Sequence, residues 1–314
     1  MPLVTTKDMF NKAYEGHYAI GAFNANNMEI IQGIVEAAQS EKSPIILQVS
    51  DETRHYTNPT YLIQLVKAAV ETTDVEICLH LDHGADFTIC KACVDSGYTS
   101  VMIDGSALPF DQNVALTKKV ADYAHDHGVT AEGELGRLAG VSDAVSFSDN
   151  EVTYTDPEQA AEVVALTGVD SLAVSIGTSH GPYKFRDQEG LDFERLKALS
   201  AILPGYPLVL HGASSVPKEF VDMCNQYGGA IHKAQGVAED ELRDAARLGV
   251  CKINIETDLN LVMTACIRQY LIEHPERFDP RAYLGAGRSA IRAMAAHKMR
   301  EVLGSSRKDP FENL

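Results

Sequence analysis

Short apolar runs alternate with amphipathic stretches from one end of this sequence to the other, and the alternation repeats eight times. The runs are Ala19–Phe23, Pro44–Val49, Ile77–Asp82, Ser100–Ile103, Val129–Glu132, Ser171–Ser175, Leu208–Leu210 and Cys251–Ile255. Their length and composition read as buried strands. Between them, residues such as Met28, Ile31, Val35 and Ala38, or Ala160, Val163, Val164 and Thr167, recur at three- and four-residue spacing, the period of a helix. Asp156-Pro157-Glu158-Gln159 opens one such helix with an N-cap, a proline at the first helical position and a glutamine at the third. Asn58-Pro59 opens another in the same way. Eight β-then-α units in 314 residues predict an α/β fold, a (β/α)8 TIM barrel. A doubly wound sheet is the alternative, because strand order is not written in one sequence. No linker rich in Pro, Gly or Ser divides the chain, so residues 1–314 are expected to form a single barrel domain with a C-terminal helical extension. The segment from Gly136 to Thr155 is long, polar and glycine-punctuated, which predicts a mobile loop over a site.

Barrels of this kind carry their chemistry at the C-terminal ends of the strands. Those ends hold Asn24, Ser50, Asp82-His83, Asp104, Glu132 with Glu134, His180-Gly181, His211 through Ser214, and Asn254 through Thr257. Of the eleven histidines, only His83, His180 and His211 precede a glycine at a strand end. Three neutral imidazoles leaving three strands can share one divalent cation and keep a coordination position open, the arrangement of catalytic zinc. Asp82 either orients His83 or acts as a general acid/base beside a metal-bound substrate, and the second reading is favoured. His80 shares a strand face with Asp82 and is expected behind the ligands or in the core. Gly181, Lys184, Gly212, Ser214 and Thr257 gather on the loops after strands six, seven and eight, where barrels hold phosphate on backbone N–H groups.

Charge narrows the partners. With 27 basic against 44 acidic residues the net charge is −17, which argues against nucleic acid and anionic membrane surfaces. No apolar run is long enough for a membrane span and the N-terminus lacks a signal-peptide profile, so a cytoplasmic location is the expectation. Six cysteines suit a reducing compartment, and the Cys90-x-x-Cys93 pair, inside a helix expected over Asp86–Ser96, reads as buried thiols. Gly285-Ala286-Gly287-Arg288-Ser289-Ala290 matches a dinucleotide-binding pattern but follows no strand, and is set aside.

The strings Gly21-Ala22-Phe23-Asn24, Leu81-Asp82-His83-Gly84, Met102-Ile103-Asp104-Gly105-Ser106, Glu132-Gly133-Glu134-Leu135-Gly136, Gly177-Thr178-Ser179-His180-Gly181, His211-Gly212-Ala213-Ser214-Ser215 and Lys252-Ile253-Asn254-Ile255-Glu256-Thr257-Asp258 run in order across nearly the whole length. Together they resemble the class II, metal-dependent fructose-bisphosphate aldolases; tagatose-bisphosphate aldolases share most of them. The resemblance implies a zinc held by His83, His180 and His211, with Asp82 exchanging a proton with the C4 hydroxyl of the sugar bisphosphate. It implies that Asp104 and Glu134 can hold a second or displaced metal. It gives Gly181, Lys184, Gly212, Ala213, Ser214, Asn254, Ile255, Glu256 and Thr257 to the dihydroxyacetone-phosphate site, where a monovalent cation (Na+ or K+) also binds in the family. Asn24 and Ser50 fall to substrate contacts, and Arg281 to the second phosphate, in some members from a neighbouring subunit of a dimer or tetramer. The implied reaction is cleavage of fructose 1,6-bisphosphate to dihydroxyacetone phosphate and glyceraldehyde 3-phosphate, and the reverse condensation, as in glycolysis and gluconeogenesis. The tagatose epimer is the alternative substrate; a metal-dependent barrel hydrolase and a non-catalytic sugar-phosphate sensor are the readings from other classes. Two departures stand out. Ser142 followed by Asp143 occupies the place where members often carry a proton-transferring glutamate, and Glu256 replaces the usual aspartate of the eighth-strand motif.

Overall fold

The computed structural model describes residues 3–138, 140–141, 146–147, 152–179, 190–232 and 234–308. Each of the eight apolar runs becomes a strand: β1 (Ile20–Asn24), β2 (Ile45–Val49), β3 (Ile77–Gly84), β4 (Ser100–Ile103) and β5 (Thr130–Leu135) come first. Two short strands follow, β6 (Gly140–Val141) and β7 (Ser146–Phe147), and then β8 (Ser171–Val174), β9 (Leu208–Leu210) and β10 (Val250–Ile255). All except β6 and β7 pair in parallel, and β1 pairs with both β2 and β10, so the sheet closes on itself. The doubly wound alternative is excluded by that closure. Every residue of the eight barrel strands is buried, as expected where helices cover the outer face and side chains fill the interior.

The covering helices are α1 (Thr6–Gly16), α2 (Met28–Glu41), α3 (Asp51–Thr57), α4 (Pro59–Glu71), α5 (Phe87–Asp95) and α6 (Phe110–Asp126). After them come α7 (Pro157–Thr167), α8 (Phe193–Ile202), α9 (Lys218–Gln226), α10 (Glu239–Arg247), α11 (Thr257–Glu273) and α12 (Pro280–His297). Asn27, Asp86 and Asp156 accept hydrogen bonds from backbone N–H groups of their first turns, caps worth about 1 kcal/mol each. The chain beyond the barrel folds back over its start. Helix α12 packs on α2, so closely that a Cβ at Gly33 would stand 2.8 Å from Ile291. Past α12 a single π-helical turn, Lys298–Val302, carries Lys298 inward.

Several boundaries depart from the sequence reading. Strands β3 and β5 run on to Gly84 and Leu135 because their polar ends, invisible to a hydrophobic pattern, are still held by the ladder to neighbouring strands. The segment from Gly136 to Thr155, expected as a mobile loop over a site, contains an antiparallel ladder between β6 and β7 and a bridge from Arg137 to Thr153. Arg137 Nε donates to the Ser106 carbonyl at 2.8 Å, tying that segment to the loop after β4. Ser142 and Asp143 lie outside the described residues. Cys90 and Cys93 are buried free thiols on α5, and burial pushes the Cys93 thiol up to about 12, which makes it inert. Gly285 to Ala290 sit inside α12, so the dinucleotide pattern has no strand before it. None of the described helices is long and apolar enough to cross a membrane.

Candidate metal centre at the barrel mouth

In a regular strand Asp82 and His83 would face opposite sides. Here the β3–β4 register shifts between Leu81 and Gly84, and His83 takes φ +46°, the left-handed region. That conformation costs a non-glycine residue about 1–2 kcal/mol. Its effect is to bring two consecutive side chains to one place. Ligating atoms of Asp82, His83 and His211 lie within 4.8 Å of one another, all buried. Gly84 completes the turn, since a Cβ there would meet the Met102 carbonyl oxygen at 2.5 Å.

His211, at the end of β9, is oriented from below. Its Nε2 donates to Glu132 Oε1 at 2.9 Å, which leaves Nδ1 as the nitrogen turned toward Glu134 Oε2, 3.4 Å away. A carboxylate behind an imidazole fixes the tautomer and raises the basicity of the other nitrogen, as behind metal-bound histidines. Glu132 is shared: Lys252 Nζ stands 3.1 Å from the same oxygen. Burial would raise the Glu132 carboxyl, but the Lys252 ammonium and the bond from His211 bring it well below the ordinary range. His80 stands beside Glu132, its Nε2 3.9 Å from Glu132 Oε2. It is fully buried, bonds Ser100 Oγ through Nδ1 at 2.8 Å, and burial with the nearby Lys252 charge keeps it neutral, at about 3.

A second cluster joins His83, Asp104 and Glu134. Asp104 accepts three hydrogen bonds: Oδ2 from His83 Nδ1 at 3.0 Å, and Oδ1 from the Ser106 amide and hydroxyl at 3.1 and 2.6 Å. Glu134 Oε2 is buried, accepts no hydrogen bond among the described residues, and lies 3.8 Å from His83 Nδ1. Burial and the neighbouring Asp104 charge push its carboxyl up. Burial alone would lower His83, yet Asp82, Asp104 and Glu134 drive it up to about 10. Three carboxylates thus surround two imidazoles at this point. The donor set, N and O atoms around an unsatisfied buried carboxylate oxygen, suits a divalent cation.

Asp82 is held by the opposite side of the barrel. Asn254 Nδ2, on β10, donates to its Oδ1 at 3.0 Å. Burial would raise the carboxyl, but His83, Lys252 and His211 hold it at about 2, so it is ionised. Asn24, at the end of β1, accepts from Gln48 Nε2 at 2.5 Å. Ser50 caps α3, its Oγ accepting from the Thr53 amide at 3.3 Å.

The loops after β9 and β10 meet beside this centre. Ser214 Oγ accepts from the Glu256 amide at 3.4 Å, and α11 starts at the next residue, Thr257. Gly212 adopts φ +59°, and Thr178 Oγ1 donates to the His211 carbonyl at 2.8 Å. Ala213 and Ile255 turn their side chains into the hydrophobic core. His180, Gly181 and Lys184 lie outside the described residues. Arg281 does not join the site within this chain: it lies in the first turn of α12, side chain 89% exposed, paired with Asp279 at 2.6 Å. Gln48 is the neighbour of these residues that hydrophobic patterning passes over, since it lies inside the apolar run of β2. Glu132, named with Glu134 at the end of the fifth run, shares a strand face with it by two-residue alternation and bonds His211.

Comparison with known proteins decides the family. The profile described as fructose-bisphosphate aldolase class-II matches residues 4–308. The chain belongs to the class II fructose-bisphosphate aldolase family. A fructose-bisphosphate aldolase of Treponema pallidum is 48% identical over 97% of each chain. One from Giardia intestinalis is 49% identical, covering 96% of this chain and 93% of its own. Among solved structures, the YdjI aldolase of Escherichia coli K12 superposes with a TM-score of 0.78 at 29% identity, over 98% of this chain and 99% of that one. The family implies a divalent metal, and the two overlapping clusters are groups of donors that could hold one.

Proposed function

We propose that this class II aldolase cleaves fructose 1,6-bisphosphate between C3 and C4, reversibly, giving dihydroxyacetone phosphate and glyceraldehyde 3-phosphate. The observation that carries the reading is the convergence of Asp82, His83 and His211 within 4.8 Å at the barrel mouth, beside a buried Glu134 oxygen that accepts no hydrogen bond among the described residues. The relatives described above are named for the fructose sugar, which favours it over the tagatose epimer. His83 and His211, with His180 as the third imidazole, hold the metal, and zinc suits that set. When bound, the metal supplies a Lewis acid for the carbonyl of the cleaved ketose. Glu134, whose Oε2 accepts no hydrogen bond among the described residues, and Asp104, which accepts three, are the carboxylates placed for a second or displaced metal.

Asp82 takes the C4 hydroxyl proton as the C3–C4 bond breaks and returns it in condensation; ionised and fixed by Asn254, it is ready to accept. The electron pair left on C3 takes up a proton there to complete dihydroxyacetone phosphate, and Asp82 releases the proton it took to solvent, which balances the cleavage. Ser214, the Gly212 backbone and the first amides of α11 receive the phosphate of that half, where a monovalent cation can join them. Asn24 and Ser50 line the path of the sugar, and Arg281 reaches a second phosphate in a neighbouring copy of a homo-oligomer. Lys252 does not form a Schiff base, because its ammonium is fully buried against Glu132. A coupled triose-phosphate assay tests the whole. Dialysis against a chelator abolishes cleavage and added zinc restores it, while borohydride with substrate leaves activity intact. Cleavage that survives the chelator would remove the metal from the reaction.

A further inference from the structure

A second cluster of buried charge lies under the loop after β9, outside the metal centre. Lys298, at the start of the π-helical turn, is 1% exposed. Its Nζ stands 2.8 Å from Asp258 Oδ2, 2.8 Å from Glu239 Oε1 and 2.5 Å from Ser215 Oγ. Those partners match the three donors of an ammonium, which could not be buried alone.

Asp258 is itself fully buried and spends both oxygens on the loop backbone. Oδ1 accepts from the Val216 amide at 2.7 Å, and Oδ2 from the Ser215 amide at 3.0 Å. Val216 has φ +47°. A β-branched residue adopts that conformation only where its surroundings over-determine it. From the other side Gly236 presses on the same backbone: a Cβ there would stand 2.1 Å from the Ser215 carbonyl and 2.6 Å from the Ser214 oxygen. The Val237 amide donates to that Ser214 oxygen at 3.1 Å. The loop is therefore pinned between Gly236 and the Lys298–Asp258 pair, and Ser214, at its head, accepts from the amide that leads into α11.

We infer that Lys298, acting through Asp258 and with Glu239 as its counter-charge, is a positioning residue that sets the Ser214–Val216 backbone for the phosphate of dihydroxyacetone phosphate. The inference rests on the phosphate role given to these loops above. Packing alone does not call for the arrangement, since an apolar side chain of similar volume stabilises a fold as well as a buried ion pair. What the ion pair adds is a fixed acceptor for two consecutive amides, one of them on a strained residue. Glycine at 216 would take the left-handed conformation without help, which makes the role separable from general stability.

Titration of the metal-loaded protein with dihydroxyacetone phosphate provides the test, alongside metal content. Lys298→Met is expected to raise the Kd about tenfold, the size of effect that network residues exert on a site they do not touch, with metal content unchanged. Adding Val216→Gly to that variant is expected to recover most of the loss. If Lys298→Met does not fold, Glu239→Gln, at a partly exposed position, is expected to raise the Kd about threefold. Unchanged affinity in an active enzyme overturns the inference, as does a loss that brings metal loss with it or that Val216→Gly fails to relieve. Wild-type protein that neither binds dihydroxyacetone phosphate nor releases triose phosphate overturns the underlying activity, and the positioning role falls with it.

Discussion

The amide of Asn254 donates to Asp82 Oδ1 at 3.0 Å, so the proposed proton acceptor on β3 is steadied by a residue on β10. Replacing Asn254 with alanine frees that carboxylate to rotate without touching the ligands. We expect kcat to fall about tenfold to a hundredfold, the cost of a small misplacement of a reacting group, while metal content stays at the wild-type level. Steady-state kinetics with metal analysis checks both halves; a variant that loses its metal would show that Asn254 does something else.

Behind the proposed ligands, Glu132 bonds both His211 and Lys252. Glu132→Gln keeps the shape but removes the charge that holds the His211 tautomer. Metal affinity should drop about 10- to 100-fold, read by competition with a chelator of known affinity. Lys252→Met instead leaves a buried carboxylate without its cation and should destabilise the fold by about 3–5 kcal/mol, seen as a lower urea midpoint.

Gly84 admits no side chain, with the Met102 carbonyl oxygen 2.5 Å and the Cys90 sulfur 2.7 Å from where a Cβ would stand. Gly84→Ala should cost about 1–3 kcal/mol from overpacking and shift the end of β3, reducing metal occupancy as well as thermal stability. Gly97→Ala is its control. It has φ +93° but open space around it, so it should lose stability and keep its metal.

Acid should act on the loop network through Glu239. Burial would raise its carboxyl, but Lys298 and the bonds from Lys298 and His297 take it below its ordinary value of 4.5. A carboxyl lowered by folding contributes stability that is present above 4.5 and is lost as pH falls through the folded value. Wild type should therefore lose stability as pH drops below 4.5 more steeply than Glu239→Gln, which has no proton to gain there. Chemical denaturation at a series of pH values measures the difference, and parallel curves would exclude the coupling.

Much of the architecture was legible because burial writes itself into composition. Runs such as Leu208–Leu210 and Cys251–Ile255 are apolar since helices cover one face and barrel interior the other. Asp82, His83 and His211 could be singled out because polar residues closing apolar runs stand at strand ends. Geometry that depends on backbone irregularity was not legible. Nothing in Leu81-Asp82-His83-Gly84 announces a left-handed histidine, and Val216 is the wrong residue type for the conformation it holds. The ladder of β6 and β7 was hidden for another reason: two-residue strands are too short to carry a period. Lys298 was unreadable because its partners, Asp258, Glu239 and Ser215, come from distant parts of the chain and meet only when the last helix folds back.

Barrel closure carries a consequence for the chain as it is made. Because β1 pairs with β10, a nascent chain that has not yet delivered Val250–Ile255 is an open sheet with raw edges at β1 and β9. It already contains Asp82, His83 and His211, yet lacks the amide that steadies the first of them. Closure of the ring, and with it the support that Asn254 gives Asp82, therefore waits for the last strand.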